Sequence, residues 1–511
     1  MITAFNAPDL ERFRALIVRC LGLQFDDAKL GFLAEVLSRR LEVTRQGTAL
    51  YLSQLDTRPA PQEVVMLAQE LTVAETYFFR HVEQYRAFAD IALRDRLRAA
   101  QAAGARISVV SAGCASGEEP YSLAMTIRDA LPDRIDAVSI LGVDINPGHI
   151  ERATRGRFSP WVLRDTPADV QQRWFRADGR EFVLDEALRS AVSFQTCNLA
   201  DETADLWRPN THDIVFCRNV LMYFAPATAR AVVSRIARSL RPGGYLFLGH
   251  AETLRGLSGD FHLRHTHGTF YYQKKDDAEP NRMSVAVAVP GTTSSGARIT
   301  PTDWIDGADT WIDTIQRASE RIRSLVDSPG KSVRKPSRSS RAKPSGDVAL
   351  ALELLRQERF AEALDVVTAL PPETDYDAEV LLLRAVLLTH GGQLAAAERV
   401  CERLLDVNEL SAEAHYLLAL CREGAGDQAA SRHHDQVAVY LDPGFAMAHL
   451  HLGLVARRAQ DLTTARRELE QAVTLLERED ASRLLLFGGG FTRDALVDLC
   501  RAELLRSGGR P

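Results

Sequence analysis

Between residues 9 and about 98, apolar side chains recur at three- and four-residue steps: Phe13, Leu16, Ile17 and Leu21, then Leu30, Leu33, Leu37 and Leu41. That is the period of helices with one buried face, so a small helical domain is expected over 1–95. From Arg106 the period changes. Short β-branched runs at 107–110, 138–143, 213–216 and 245–248 alternate with helical stretches at 120–130 and 226–240. This predicts a mostly parallel sheet covered by helices over 96–275, with a small β insert at about 155–190. Segments 261–265 and 269–273 lie too close together for a crossover helix and are expected to pair as an antiparallel hairpin.

Between 276 and 346 the pattern dissolves into Pro, Ser, Gly and Thr, and 331–343 carries six basic residues with no acid, the composition of a solvated linker. Within it, Ile305, Ile312, Ile315, Ile322 and Leu325 give 304–326 the period of a lone helix. After Gly346 the chain repeats. Ala363, Ala397, Ser431 and Ala465 fall 34 residues apart, as do Leu370, Leu404, Ala438 and Ala472, and Ala351, Ala385, Ala419 and Gly453. A 34-residue step with small residues at helix crossings resembles the tetratricopeptide (TPR) solenoid, expected over 347–477. A capping segment over 478–511 follows, broken by FGGGF at 487–491 before a last amphipathic helix.

The 511 residues are 46% hydrophobic and 25% charged, an ordinary globular composition, and Lys+Arg 62 against Asp+Glu 68 leaves −6. Such a balance supplies no overall basic field for nucleic acid or anionic lipid. The apolar stretch 380–389 is interrupted by Arg384, and nothing approaches the roughly 20 residues of a membrane span. The opening MITAFNAPDLERFRAL has no basic run ahead of an apolar core, so no secretory signal is expected and the location is expected to be cytoplasmic. Seven cysteines without CxxC spacing argue against a disulfide framework or a zinc ribbon.

The segment SAGCASGEEPYS at 111–122 runs a buried strand into a glycine turn and a helix, with Ser116 and Glu119 spaced as a capping box. Phosphate-binding versions of this turn carry GxGxxG or a lysine; here Glu118 and Glu119 stand instead, which repel pyrophosphate and suit a cationic ligand. Asp144 closes the next strand, placed to accept from ribose hydroxyls. Together these residues fit S-adenosylmethionine, an adenosine joined to a sulfonium-bearing amino acid. Arg218 and Asn219 end a later strand at the carboxyl edge of the sheet, where ligands of α/β folds sit, and Tyr223 follows within about a turn. His262, His265 and His267 are spaced like ligands, but a hairpin turns some of them to solvent; no metal site is assigned.

TYFFR at 76–80, SAGCASGEEPYS, GVDIN at 142–146, CRNVLMYF at 217–224 and LRPGGYLFLGHAE at 240–252, in that order, resemble CheR-type chemoreceptor glutamate methyltransferases over about 10–274. The whole layout is similar to the subgroup with C-terminal TPR domains, including those of Wsp-type surface sensing. The resemblance implies an α/β Rossmann-like S-adenosylmethionine-dependent methyltransferase fold with an N-terminal helical domain, followed by the all-α TPR solenoid. It implies that Thr76, Arg80, Gly113, Glu118, Asp144, Asn198, Leu199, Arg218 and Asn219 line the cofactor site, and that Arg80 and Tyr223 face the transferred methyl and the substrate. The implied reaction is O-methylation of glutamate side chains on the cytoplasmic domain of a methyl-accepting chemotaxis-type receptor, with the TPR domain recruiting an unidentified peptide or helix.

Two departures bear on the substrate. Well-known members carry several arginines on the second N-terminal helix; here Lys29, Arg39, Arg40 and Arg45 remain, while Val36 and Glu42 stand at points that align with basic residues. The glycine-containing loop that grips a receptor's C-terminal peptide is reduced here to the turn RADGREF, so no tethering pentapeptide is expected. The alternative reading is a cofactor-binding TPR scaffold in a chemosensory pathway, without turnover.

Overall fold

Four helices open the chain: α1 (Ala7–Leu21), α2 (Leu30–Thr44), α3 (Thr48–Thr57) and α4 (Pro61–Leu71). Asn6 caps α1 by accepting from the Asp9 N–H at 2.8 Å. The apolar stripes meet in one core from Phe13 to Leu71, which includes Val36 and Leu37. Val36 is therefore a core residue and not a replaced surface cation. Arg40 is likewise turned inward, its guanidinium 2.7 Å from Glu63 and 3.5 Å from Glu70.

In the computed structural model, residues 5–72, 75–132, 134–202, 204–276, 348–357, 359–371, 374, 376–488 and 491–506 are described. The expected linker from residue 277 on, with its helix at 304–326, lies outside them. After α4 come α5 (Val82–Ala87) and, through a π-helical turn, α6 (Arg94–Ala103). Phe78, Tyr85, Phe88 and Leu93 belong to the core of the sheet, so 78–95, placed above with the helical domain, packs with the sheet instead.

Strand β1 (Ile107–Ala112) is followed by α7 (Glu118–Ala130), β2 (Val138–Asp144) and α8 (Pro147–Arg155). The insert then contributes β3 (Arg157–Phe158), α9 (Ala168–Trp174), β4 (Phe175–Asp178), β5 (Glu181–Leu184) and α10 (Glu186–Arg189). β6 (Val192–Thr196), β7 (His212–Cys217), α11 (Pro226–Ser239), β8 (Leu240–Leu248), β9 (Phe261–Thr266) and β10 (Thr269–Lys274) complete the unit. The main sheet has the order β6-β2-β1-β7-β8-β10-β9, and the insert forms a second sheet, β3-β5-β4. Pairing from β6 to β8 is parallel, and β10 is antiparallel to both β8 and β9. The order reverses between β1 and β7, and the carboxyl ends of those strands frame the crevice where α/β proteins bind ligands.

The described residues between 348 and 506, with 254–256, form a separate compact unit. Its helices pair as α12 (Val348–Arg356) with α13 (Phe360–Thr368), α14 (Ala378–His390) with α15 (Leu394–Val407), α16 (Ala412–Gly424) with α17 (Gln428–Leu441), and α18 (Ala446–Arg458) with α19 (Leu462–Leu476). Ala378, Ala412 and Ala446 begin successive first helices 34 residues apart, the period read from the sequence. The residues in phase are the crossings: Ala363, Ala397, Ser431 and Ala465 are fully buried. A Cβ on Gly453 would lie 2.8 Å from Leu469 Cγ, so α18 and α19 approach closely only with glycine there. The short α20 (Ala481–Phe487) and α21 (Arg493–Arg506) end the chain.

Candidate active site

The turn after β1 is shaped by close approach. Gly113 has φ +78°, and a Cβ there would stand 2.4 Å from Val220 Cγ2, so only glycine lets the β1 and β7 loops meet. Its N–H and that of Cys114 donate to the Val143 carbonyl at 2.8 and 2.9 Å, tying the turn to the end of β2. Ala115 is held at φ +47°, a conformation that costs a non-glycine residue energy, and Asp144 secures it by accepting from the Ala115 N–H at 3.0 Å. The same carboxylate accepts from the Asn146 N–H at 2.9 Å and stands 3.3 Å from His149 Nδ1.

Gly117 is the left-handed residue ahead of α7, and its geometry sends the two adjacent glutamates in different directions. Glu118 is buried with Ser116 Oγ donating to both its oxygens at 2.9 Å; burial pushes its carboxyl up to about 7. Glu119 points to the crevice, accepting from Ser111 Oγ at 2.7 Å and from Arg218 at 3.1 Å. The capping box expected from Ser116 and Glu119 is thus not formed: each hydroxyl takes a carboxylate on its own side of the turn.

A crevice of about 320 Å³ opens at this switch point. Of the residues expected from the sequence, Thr76, Arg80, Gly113, Arg218, Asn219 and Tyr223 line it together, whereas Glu118, Asp144, Asn198 and Leu199 do not. Asn198 accepts from the Ala200 N–H at 2.9 Å and donates to the Cys20 carbonyl at 3.2 Å, and Leu199 is buried while its carbonyl accepts from Arg235 at 3.2 Å.

The aromatic half of TYFFR explains how the segment ahead of the sheet reaches the crevice. Phe78 is fully buried, edge-on to Phe158 and Phe175 at 4.8 and 5.0 Å between centroids. Burial of such a ring contributes about 1.5–3 kcal/mol and acts as an anchor. Two residues on, Arg80 lies over the Tyr77 ring and donates to the Glu75 carbonyl at 3.2 Å, and its buried Nε has no hydrogen-bond partner among the described residues. Arg218 donates to Glu119 and to the Arg80 carbonyl, joining the β7 end, the β1 turn and the TYFFR segment.

Several lining residues were not singled out from the sequence: Tyr85, Cys114, Met222 and His250 among them. Glu252 explains the GHAE run in structural terms. Its carboxylate accepts from the N–H groups of Asn219 (2.6 Å), Val220 (2.8 Å) and Gly249 (2.8 Å), holding Asn219 at φ +56°. Nothing in a sequence period marks a carboxylate whose partners are backbone amides on another loop. The His81 ring lies 4.6 Å from that of His250, tilted by 44°, and burial, followed by the charge of Arg218, lowers the His81 pKa to about 4.

The two acids expected to give the turn a negative field are accounted for differently: Glu118 is turned aside and Glu119 is matched by Arg218. The crevice lining therefore carries Glu75 and Glu119 against Arg80 and Arg218. A balanced lining fits a ligand that itself bears a carboxylate, an ammonium and a sulfonium, as S-adenosylmethionine does. Among the described residues no group of three or more His, Cys, Asp or Glu side chains is placed to hold a metal ion.

A parallel sheet with an antiparallel hairpin at its edge, a glycine turn after its first strand and a crevice at the switch point is the arrangement of a Rossmann-like methyltransferase. Residues 74–270 match the family described as CheR methyltransferase, SAM binding domain. The chain is 33% identical over 282 residues to chemotaxis protein methyltransferase 2 of Vibrio cholerae, covering 53% of this chain and 96% of that one. It is 30% identical over 422 residues to the probable biofilm formation methyltransferase WspC of Pseudomonas putida, covering 82% and 87%. A solved structure of MamA overlaps 31% of this chain and 89% of its own, with 18% identity and a TM-score of 0.23. The chain belongs to the CheR methyltransferase family. It is accordingly a protein-glutamate methyltransferase whose cofactor is S-adenosylmethionine. No helix among the described residues is long and apolar enough to cross a membrane.

Proposed function

We propose that this enzyme methylates glutamate side chains on the cytoplasmic domain of a methyl-accepting chemotaxis-type receptor, and that its helical repeats recruit a partner. The observation that carries the reading is the convergence of Arg80 and Tyr223 on the crevice whose floor is the Gly113 turn. When bound, S-adenosylmethionine supplies a methyl on a positively charged sulfur, which passes to a carboxylate oxygen as the carbon–sulfur bond breaks and its electron pair stays on sulfur. A glutamate side chain, with a pKa of about 4.3, is already the nucleophile at neutral pH, so the enzyme needs no general base.

What the chain supplies is alignment and exclusion of water. Arg80, anchored by Phe78, orients the incoming carboxylate, and Tyr223, 42% exposed at the mouth, meets the substrate segment. Thr76, Gly113, Arg218 and Asn219 hold the cofactor in the crevice, while Asp144 fixes the turn beside it by accepting from the Ala115 N–H. The inward turn of Arg40 leaves Lys29, Arg39 and Arg45 as the exposed cations on and beside α2, and Arg39 is already 2.8 Å from Glu70. This supports a receptor face less acidic than a strongly basic helix would select. The relatives named for chemotaxis and for biofilm formation support a sensory receptor as the substrate class.

The test is transfer of tritium from labelled S-adenosylmethionine to a base-labile ester on a co-expressed receptor cytoplasmic domain. Base-released counts that vanish when the acceptor glutamates become aspartate or alanine are expected. No base-labile label, with S-adenosylhomocysteine still bound, would leave the scaffold reading in its place.

A further inference from the structure

In a helical-repeat solenoid, the first helices of successive pairs line a concave surface on which such proteins hold extended or helical ligands. Here α14, α16 and the lead-in to α18 contribute His390, Tyr416 and Phe445 to one surface, and α20 of the same chain lies on it. Phe487, at the end of α20, packs edge-on to Phe445 at 5.2 Å and to Tyr416 at 6.0 Å. Four residues earlier, Arg483 lies 4.4 Å over the Phe445 ring, with its guanidinium 2.7 Å from Asp442 and 3.7 Å from Glu413. Tyr416 Oη donates to the Phe487 carbonyl at 3.2 Å, and His390 Nε2 lies 2.9 Å from the Leu486 carbonyl.

We propose that α20 is a built-in pseudo-ligand, and that the groove exchanges it for a partner helix that ends in a cation followed, one turn later, by an aromatic residue. Two features separate α20 from an ordinary cap. The stacking surface of the last pair is closed by α21, which follows α20 and is tied to α18 by the Arg457–Glu503 ion pair. α20 is not needed for that role. Second, the groove reads α20 in the way a receptor reads a helix end. Tyr416 and His390 meet carbonyls of the last turn, which every helix leaves without an intrahelical donor, while Asp442 and Phe445 read the side chains.

At seven residues α20 is too short to persist as a helix by itself, so its order depends on the groove. A groove filled from within also lowers its apparent affinity for an outside ligand by the fraction of time it is free.

The inference deepens the recruitment reading given above, but its test uses no partner protein and can fail alone. A fluorescent peptide of residues 477–491 is titrated into the full chain and into the full chain carrying Arg483→Ala and Phe487→Ala. The doubly substituted chain is expected to bind the peptide at least ~10-fold more tightly than the unsubstituted chain. A peptide bearing the same two alanines should not bind. Equal or absent binding overturns the proposal, as does failure of the substituted chain to fold, which would make α20 a fixed part of the core. In the unsubstituted chain, hydrogen exchange provides a second reading. The amides of 482–487 should exchange at least ~10-fold faster than those of α16 and α18, and equal protection also overturns it.

Discussion

Arg80 and Phe78 divide one short segment between chemistry and anchorage, and they should respond differently to truncation. Arg80→Ala is expected to lower the turnover of receptor methylation by at least ~10-fold while changing S-adenosylhomocysteine affinity less, since its proposed partner is the incoming carboxylate. The opposite ranking, read by calorimetry beside initial rates, would move Arg80 to the cofactor. Asp144→Ala frees the strained Ala115 and the Asn146 amide, and cofactor affinity should weaken by about 1–3 kcal/mol; an unchanged dissociation constant would mean that the turn keeps its shape without Asp144.

Glu118 gives a pH signature of definite sign. Its carboxyl is raised to about 7 in the folded chain, so the folded state holds a proton that the unfolded state releases above the ordinary value of 4.5. That contribution to stability is full below 4.5 and is lost as pH rises through about 7. Glu118→Gln should therefore flatten the fall in melting temperature between pH 5 and 8, and an unaltered slope would show that burial does not govern this group. These details mark where reading by pattern stops. The sequence places Glu118 and Glu119 side by side, but a left-handed Gly117 decides which one faces the crevice, and that choice has no periodicity. The same holds for Arg218, whose type and strand-end position are legible while its three-way tie to Glu119, Tyr85 and the Arg80 carbonyl is not.

At the scale of elements the periods are decisive where one face of a helix or strand is buried and repeated. The β1, β2, β7 and β8 runs, the closing hairpin and the 34-residue step all emerge as expected, because burial enforces alternation or a fixed turn. Small residues in phase sit where paired helices cross, and at Gly453 an added Cβ would meet Leu469. Gly453→Val should force α18 away from Leu469 and destabilise the repeats by about 1–3 kcal/mol, measured as a lower melting temperature of that unit. A neutral result would mean the crossing has slack. What the patterns missed has physical reasons. Val36 aligned with a cation by spacing alone, yet in α2 it falls on the stripe with Leu33 and Leu37, and position on that stripe outweighs any pairwise alignment.

For the molecule as a whole, two compact units with separate internal packing imply separable function. A chain ending at residue 346 should bind S-adenosylhomocysteine within about threefold of the full chain, a difference below 1 kcal/mol; an insoluble or non-binding product would mean that the repeats complete the enzyme. The other end is less forgiving. With Phe78 wedged between Phe158 and Phe175, a piece begun at residue 96, just ahead of the first strand, would carry an empty aromatic socket and lack Arg80, the guanidinium proposed to meet the acceptor. Anyone dissecting or transplanting this enzyme should therefore cut upstream of Glu75, because the core of its sheet begins in what looks like connecting chain.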